Sequence, residues 1–189
     1  IAAGVALAER GAPSALSLAT RDGTVEVATE RGRDGRIRAT LTSVVPWVRD
    51  APPALLEGVL GLLGWQPDEL DPSLPPALAY AGVRHLIVAV RELATLGRMT
   101  YDFDPMQRVM LDHELTTIQL IWREAPDRFR ARDPFAVGGV VEDPATGAAA
   151  AALGAYLRER GEIRAPATFE VRQGVEMGRP SLLTVSIAP

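Results

Sequence analysis

A helical segment that occurs twice constrains the fold more than any other feature of this sequence. Residues 1–11 match residues 151–161 at six of eleven positions. The identical pairs are Ala2 and Ala152, Gly4 and Gly154, Leu7 and Leu157, Glu9 and Glu159, Arg10 and Arg160, and Gly11 and Gly161. Because only two copies fit into 189 residues, the repeat predicts two related lobes rather than a solenoid.

The second copy lies in an alanine-rich run that extends from Ala145 to Gly161. Alanine has high helix propensity and little bulk, so the run predicts a helix that other elements enclose on all sides. Short alternating segments predict strands around both helices, for example Ala15–Thr20 and 24–29 on either side of an Asp22-Gly23 turn. We therefore expect an α+β fold of two pseudo-symmetric lobes, each a curled sheet wrapped around a central helix.

A proline-containing break at Asp50-Ala51-Pro52-Pro53 marks the expected boundary between the lobes. It predicts residues 1–50 as the remainder of the first lobe with its central helix, and residues 51–189 as the second lobe with the alanine-rich helix. The chain begins inside a helical pattern without a cap residue, which is typical of an internal position. We therefore expect the first lobe to be N-terminally truncated.

Composition excludes several classes of function. The formal net charge is −4, and the 20 basic residues are interspersed with 24 acidic ones, so no basic stripe is present to bind nucleic acid. No apolar run reaches the roughly 18–20 residues of a membrane span, which argues against a membrane partner. Zero cysteines exclude disulfides and thiol catalysis and are compatible with a cytoplasmic location, which we expect.

The residues that carry chemistry are concentrated between Glu142 and Ala148. An Asp-Pro pair such as Asp143-Pro144 most often only starts a helix. Here Thr146 adds a second capping hydroxyl and Gly147 opens the backbone, which is more than helix initiation requires. We therefore predict that Asp143 moves a proton, and that Thr146 and the N–H groups of Gly147 and Ala148 bind the anionic group of a small metabolite.

Three arginines alternate along one predicted strand. Because the period of a strand is two, Arg128, Arg130 and Arg132 share one face. Such a row can recognise a carboxylate, but the sequence favours a solvated sheet face, since arginine is mostly exposed in proteins.

Metal chemistry has little support in the sequence. Asp102, Asp104 and His113 are potential ligands, but Asp104-Pro105 is also an ordinary helix start and the spacing matches no metal site. His85 begins an apolar strand, and we expect it to be packed or partly exposed rather than to act as a base. We therefore predict no metal.

The segment 173–181 joins two predicted strands and contains Gly174, Gly178 and Arg179. Glycines are expected in a long hairpin loop, and the same pattern also suits a loop that cradles a phosphate or carboxylate. The pattern does not decide between these interpretations. Gly174, Gly178 and Arg179 are therefore candidate substrate-binding residues.

Taken together, these segments resemble the PhzF-like phenazine-biosynthesis family, relatives of diaminopimelate epimerase. Glu142-Asp143-Pro144-Ala145-Thr146-Gly147-Ala148-Ala149 resembles the family's Glu-Asp-Pro-x-Thr-Gly-Ser-Ala hallmark. Gln173-Gly174 with Gly178-Arg179-Pro180-Ser181 resembles its C-terminal Gln-Gly and Gly-Arg-Pro-Ser motif. Residues 1–8 resemble the helix that follows its Gly-His-x-Thr motif, so the likeness spans nearly the whole chain in the family's order.

The resemblance implies a diaminopimelate epimerase-like fold and a cofactor-free isomerase or epimerase. In this family a glutamate from the first lobe is the main proton carrier, and the hallmark aspartate, here Asp143, assists. That glutamate and the Gly-His pair precede the segment at which this chain begins, and Ala148 stands where the hallmark has serine. Family members are commonly homodimers, so we also expect a homodimer.

Two functions follow as hypotheses. The first is an isomerase that moves a proton between carbons of a small anionic metabolite, using Asp143 and the upstream glutamate. The second is a non-catalytic small-molecule-binding protein on the same scaffold, which is suggested by Ala148 and by the missing upstream segment. Fold alone does not decide between them.

Overall fold

The computed structural model describes residues 2–20, 23–35 and 37–189. Two compact units are present, Ile1–Val45 and Pro46–Pro189. The strand Trp47–Asp50 is hydrogen-bonded to Ala77–Tyr80 and therefore belongs to the sheet of the second unit. The sequence predicts a boundary slightly later, near residue 50, where the helix-starting prolines occur.

The first unit is a helix on a small antiparallel sheet. Its elements are α1 (Ala2–Glu9), β1 (Ala15–Thr20), β2 (Gly23–Arg31) and β3 (Ile37–Thr42), with strand order β1-β2-β3. The predicted β1–β2 hairpin is present, although Asp22 of its turn lies outside the described residues. Helix α1 packs against β2 and β3, and Leu7 on its other side is 37% exposed.

The second unit contains four helices and a large mixed sheet. Its helices are α2 (Pro53–Leu63), α3 (Leu93–Gly97), α4 (Phe103–Asp112) and α5 (Gly147–Glu159). Its strands are β4 (Trp47–Asp50), β5 (Ala77–Tyr80), β6 (Arg84–Val90), β7 (Thr117–Ala125), β8 (Arg128–Pro134), β9 (Glu142–Asp143), β10 (Ala167–Gln173) and β11 (Ser181–Ile187). The strand order is β11-β10-β8-β7-β6-β5-β4, and β9 pairs with the end of β8.

The central strands are buried on both faces, which explains their nearly continuous apolar sequence. Along β6, Leu86 and Val88 belong to a core shared with α2 and α4, whereas Ile87 and Ala89 belong to the core around α5. Because side chains alternate along a strand, the same division continues through β7 and β8. The sheet therefore has an outer face against α2 and α4 and an inner face that curls around α5.

Small residues allow the sheet to approach α5 closely. A Cβ atom added at Gly154 would lie 3.1 Å from Val185 Cγ1 and 3.5 Å from Phe169 Cε1. The aligned glycine of the first unit, Gly4, has the same relation to its own sheet, because an added Cβ would lie 2.8 Å from Val27 Cγ1. This local equivalence supports the duplication read from the sequence.

The α+β fold class is confirmed, with a curled sheet around the alanine-rich helix. The alanine-rich run forms α5, and the two predicted strands that residues 173–181 join occur as β10 and β11. Within the described part of the chain, no helix has the length and apolarity needed to cross a bilayer.

Candidate functional site

The predicted site begins in β9 and ends at the first turn of α5. Asp143 is the last residue of β9 and pairs with Asp133 of β8. Helix α5 begins only at Gly147, and the residue in the N-cap position is Thr146, whose side chain caps no N–H group. The interpretation that Asp143 merely caps the helix is therefore wrong, and so is the expectation of a capping role for Thr146. The Thr146 hydroxyl instead donates a hydrogen bond to Asp143 Oδ2 at 2.7 Å.

Gln173, at the end of β10, holds this segment in place. Its Oε1 accepts a hydrogen bond from the Thr146 N–H at 3.0 Å, and its Nε2 donates to the Asp143 carbonyl at 2.7 Å and to Thr146 Oγ1 at 2.9 Å. Gln173 is fully buried. We call these three contacts the Gln173 bridge. Because one rigid amide serves two backbone groups, the bridge fixes Asp143 and Thr146 relative to each other.

The loop after Gln173 also contacts this segment. Gly174 has φ of 74° and is buried, and a Cβ added there would lie 2.8 Å from the Pro144 carbonyl oxygen. The Ser181 hydroxyl donates to the same carbonyl at 2.7 Å. Only glycine fits this close approach with positive φ, so Gly174 and Ser181 serve to hold the loop on Pro144.

Gly178 and Arg179 lie on the exposed part of that loop. The Arg179 N–H donates to the Gly174 carbonyl at 2.9 Å, which closes the loop. Among the described residues, the Arg179 guanidinium forms no ion pair, so its charge is available to a ligand. Substrate contacts by Gly174, Gly178 and Arg179 stay predictions.

The first turn of α5 presents unpaired backbone donors. Gly147 and Ala148 are partly exposed, and within the described ranges no side chain accepts a hydrogen bond from their N–H groups. A helix N-terminus carries a partial positive charge that favours anions. The geometry is therefore compatible with the predicted anion-binding role of Thr146, Gly147 and Ala148.

The hallmark glutamate has a structural partner. Glu142 is 5% exposed and accepts two hydrogen bonds from Arg132, from Nε at 3.0 Å and from Nη2 at 2.7 Å. The Arg132 Nη1 also donates to the backbone carbonyls of Gly97 and Met99. This bidentate pair, with the two further bonds from Nη1 to backbone carbonyls, anchors β9 next to the end of α3.

The expectation that the three arginines line a solvated sheet face is wrong for two of them. Arg132 is buried against Glu142, and Arg130 pairs with Glu176 at 2.7 Å. Only Arg128 is exposed. The acidic partners are distant in sequence or on another strand, so strand periodicity alone could not reveal them.

Three buried polar side chains, those of His85, Thr117 and Asp133, lie together on the inner face of the sheet beside Asp143. His85 Nδ1 and Thr117 Oγ1 are 2.8 Å apart, and the Thr117 hydroxyl donates to Asp133 Oδ1 at 3.1 Å. Burial lowers the pKa of His85 to about 4. Burial also raises the pKa of Asp133 well above its ordinary value, the Thr117 hydrogen bond opposes this rise, and the charges of Asp143 and Glu142 add to it.

His85 is packed, which is one of the two positions that the sequence allowed, but sequence reasoning missed Thr117, Asp133 and the role of Gln173. Asp133 follows Phe129 and Ala131 at the strand period, so its inward direction could have been read from the sequence. Its partners, Thr117 on β7 and His85 on β6, could be identified only once the order of the strands in the sheet was known.

The potential metal ligands Asp102, Asp104 and His113 lie at the two ends of α4. Asp102 precedes its first turn, Asp104 is in that turn, and His113 follows its last residue. A ten-residue helix is about 15 Å long, so the three side chains do not share one centre.

Comparisons with known proteins place this geometry in a family. The family model described as "Phenazine biosynthesis-like protein" matches residues 1–188. A trans-2,3-dihydro-3-hydroxyanthranilate isomerase of Pseudomonas aeruginosa is 34% identical over 168 residues, which cover 88% of this chain and 56% of that protein. The protein of the same name from Pseudomonas fluorescens is 31% identical over 169 residues, again with 56% of its length covered. The chain thus spans little more than half of these curated relatives.

Solved structures show the same fold. A PhzF-family phenazine biosynthesis protein of Bacillus anthracis has a TM-score of 0.77 at 24% identity, with 95% of this chain and 63% of that chain covered. A predicted epimerase of Pseudomonas aeruginosa has a TM-score of 0.80 at 24% identity, with coverages of 99% and 64%. Together with the match of the family model to residues 1–188, this shows that the chain belongs to the phenazine biosynthesis-like (PhzF) protein family.

Proposed function

We propose that this chain is part of a cofactor-independent isomerase or epimerase that acts on a small anionic metabolite by acid–base proton transfer. Asp143 is one proton carrier. Thr146 and the N–H groups of Gly147 and Ala148 bind the anionic group. The Pseudomonas relatives are named for the isomerisation of a hydroxyanthranilate, which is a small carboxylate, and this supports the proposed substrate class.

The observation that carries this proposal is the position of Asp143. Its carboxylate lies next to an uncapped helix N-terminus, and it caps nothing. The Gln173 bridge holds the backbone carbonyl of Asp143, and the Thr146 hydroxyl holds its carboxylate. These contacts restrain the side chain of Asp143, which forms no ion pair among the described residues. A general acid or base needs such a fixed position within hydrogen-bond reach of its substrate.

The test uses the purified protein that contains this chain, with no cofactor or metal added. It is incubated with trans-2,3-dihydro-3-hydroxyanthranilate and with a panel of small hydroxy- and amino-carboxylates, and products are followed by proton NMR. Isomerised product in the absence of cofactor supports the proposal. Turnover that appears only after a cofactor or metal is supplied contradicts it.

A second candidate is a non-catalytic binding protein, which is favoured by Ala148 at the position where the family hallmark has serine. This function predicts tight binding of one of the same carboxylates in calorimetry, together with no product in the NMR assay. Binding with turnover excludes it.

A further inference from the structure

Four side chains on adjacent strands form a row across the inner face of the sheet. We call His85, Thr117, Asp133 and Asp143, on β6, β7, β8 and β9, the polar row. His85 pairs with Thr117 and Asp133 with Asp143 in the strand register, so the side chains within each pair share a face. Directly opposed side chains of an antiparallel pair have Cβ atoms about 5 Å apart, which brings the two carboxyl groups next to each other.

Nothing in this row balances a negative charge on Asp133. Asp133 and His85 are fully buried, and among the described residues Asp133 Oδ2 and His85 Nε2 have no hydrogen-bond partner. Among the described residues, the charges of Asp143 and Glu142 act on Asp133 and raise its pKa, and His85 is linked to it through Thr117. The guanidinium of Arg132 is bound to Glu142 rather than to Asp133. A buried carboxylate beside a second carboxylate, without a cation of its own, is strongly disfavoured relative to the neutral acid.

With the Thr117 hydroxyl as the donor to Asp133, the positions of the other protons follow. The Thr117 hydroxyl has one proton, and it donates that proton to Asp133 Oδ1. Its oxygen must therefore accept from His85 Nδ1–H, because neutral imidazole carries one proton and burial keeps the ring neutral. This leaves Nε2 of His85 as an acceptor and leaves Oδ2 as the protonated oxygen of Asp133.

We propose that Asp133 is a positioning residue for Asp143: as a neutral acid it presents an Oδ2–H to the Asp143 side of the polar row, and through Thr117 it holds His85 in the Nδ1–H tautomer. The catalytic meaning of this pair rests on the proposed function, in which Asp143 carries the proton. The raised pKa of Asp133 supports its neutral state.

The test is NMR on the labelled protein that contains this chain, and it needs no substrate. Side-chain carboxyl carbons of the aspartates are followed across the acidic and neutral range, together with the ring nitrogens of His85. We expect Asp133 to keep the signal of a neutral acid at pH values where ordinary aspartates, with a pKa of about 3.9, have ionised. We expect the Nδ1–H tautomer for His85. Ionisation of Asp133 in the ordinary range, or an Nε2–H tautomer, overturns the proposal.

Three variants separate coupling from simple burial. Asp143→Asn removes the neighbouring charge and is expected to move the Asp133 ionisation to lower pH by roughly half a unit or more. The matched control, Asp127→Asn in the exposed β7–β8 turn, is expected to leave it unchanged. Thr117→Val is expected to remove the tautomer preference of His85 while Asp133 stays neutral. An unchanged midpoint in Asp143→Asn, or an unchanged tautomer in Thr117→Val, contradicts the coupling.

Kinetics provide the functional readout. If Asp133 acts through Asp143, Asp133→Asn keeps turnover at acidic pH but loses the limb of the pH–rate profile that reflects Asp133 ionisation. A purely structural role predicts a profile of unchanged shape, which would overturn the positioning role. If the unaltered protein shows no turnover, the proposed function fails, whereas the NMR result still decides the carboxyl pair on its own.

Discussion

The Gln173 bridge makes a quantitative prediction for Gln173→Ala. The substitution leaves the Thr146 N–H and the Asp143 carbonyl without their side-chain partner, while the Thr146 hydroxyl can still donate to Asp143 Oδ2. A buried polar group that loses its partner costs about 1–3 kcal/mol. For two such groups, we expect the free energy of unfolding to fall by roughly 2–6 kcal/mol.

The assay is urea unfolding followed by tryptophan fluorescence. All three tryptophans, Trp47, Trp65 and Trp122, lie in the unit Pro46–Pro189, so the signal reports the unit that contains the bridge. The matched control is Gln107→Ala, which removes one hydrogen bond from Nε2 to the Ala136 carbonyl at 2.8 Å. That change is expected to cost about 1 kcal/mol.

The comparison of the two variants decides the matter. If Gln173→Ala destabilises the protein no more than Gln107→Ala, the bridge does not hold the segment and the reasoning is refuted. If stability falls as expected, the proposed isomerase activity is expected to fall as well, even under conditions where the variant is fully folded, because Asp143 and Thr146 lose their fixed relation.

Further predictions concern stability and pH. Arg132→Met leaves Glu142 buried without its cation, and we expect a loss of roughly 3–5 kcal/mol in urea unfolding; a loss below 1 kcal/mol would show that the pair is solvated. Burial lowers the pKa of His85 from its ordinary 6.5 to about 4, so the unfolded chain binds more protons than the folded chain between these values. The contribution of His85 to stability is therefore expected to fall by up to roughly 3 kcal/mol as pH drops through this window, whereas the raised pKa of Asp133 contributes in the opposite sense. His85→Gln removes only the His85 contribution, so its stability is expected to fall less on acidification than that of the unaltered protein; equal slopes in the two proteins would contradict this. Gly174→Ala places a Cβ against Pro144 at positive φ and is expected to cost at least about 1–3 kcal/mol, measured as a lower urea midpoint. Wild-type stability in that variant would argue against the close approach.

Much of the fold could be predicted because local pattern and global packing agree. The alanine-rich run predicts an enclosed helix. Gly154 gives the physical reason for the small residues, because the inner face of the sheet leaves no room for a larger side chain there. The repeat in residues 1–11 is reproduced locally at Gly4. Helix α2 begins where Pro52 and Pro53 predict it, because proline suits the first turn of a helix.

The site could be predicted only in part. The motif drew attention to Asp143 and Thr146, but the ordinary interpretation of Asp-Pro as a helix start was wrong, because β9 ends at Asp143 and α5 starts at Gly147. The contacts of Gln173 and the buried position of Asp133 depend on strands that are distant in sequence. Period-two alternation gives the direction of a side chain, but it does not give the neighbour on the next strand.

The central claim is that Asp143 carries a proton to or from a substrate carbon, and its most direct test is solvent deuterium exchange. The protein that contains this chain is incubated with a converted carboxylate in deuterated water, and deuterium at carbon is measured by mass spectrometry and NMR. The account predicts incorporation by the unaltered protein and by the control Asp127→Asn. It predicts that Asp143→Asn, which keeps the size of the side chain and its ability to accept from Thr146, exchanges slower by about 100-fold or more. Equal exchange by a folded Asp143→Asn variant would contradict the claim.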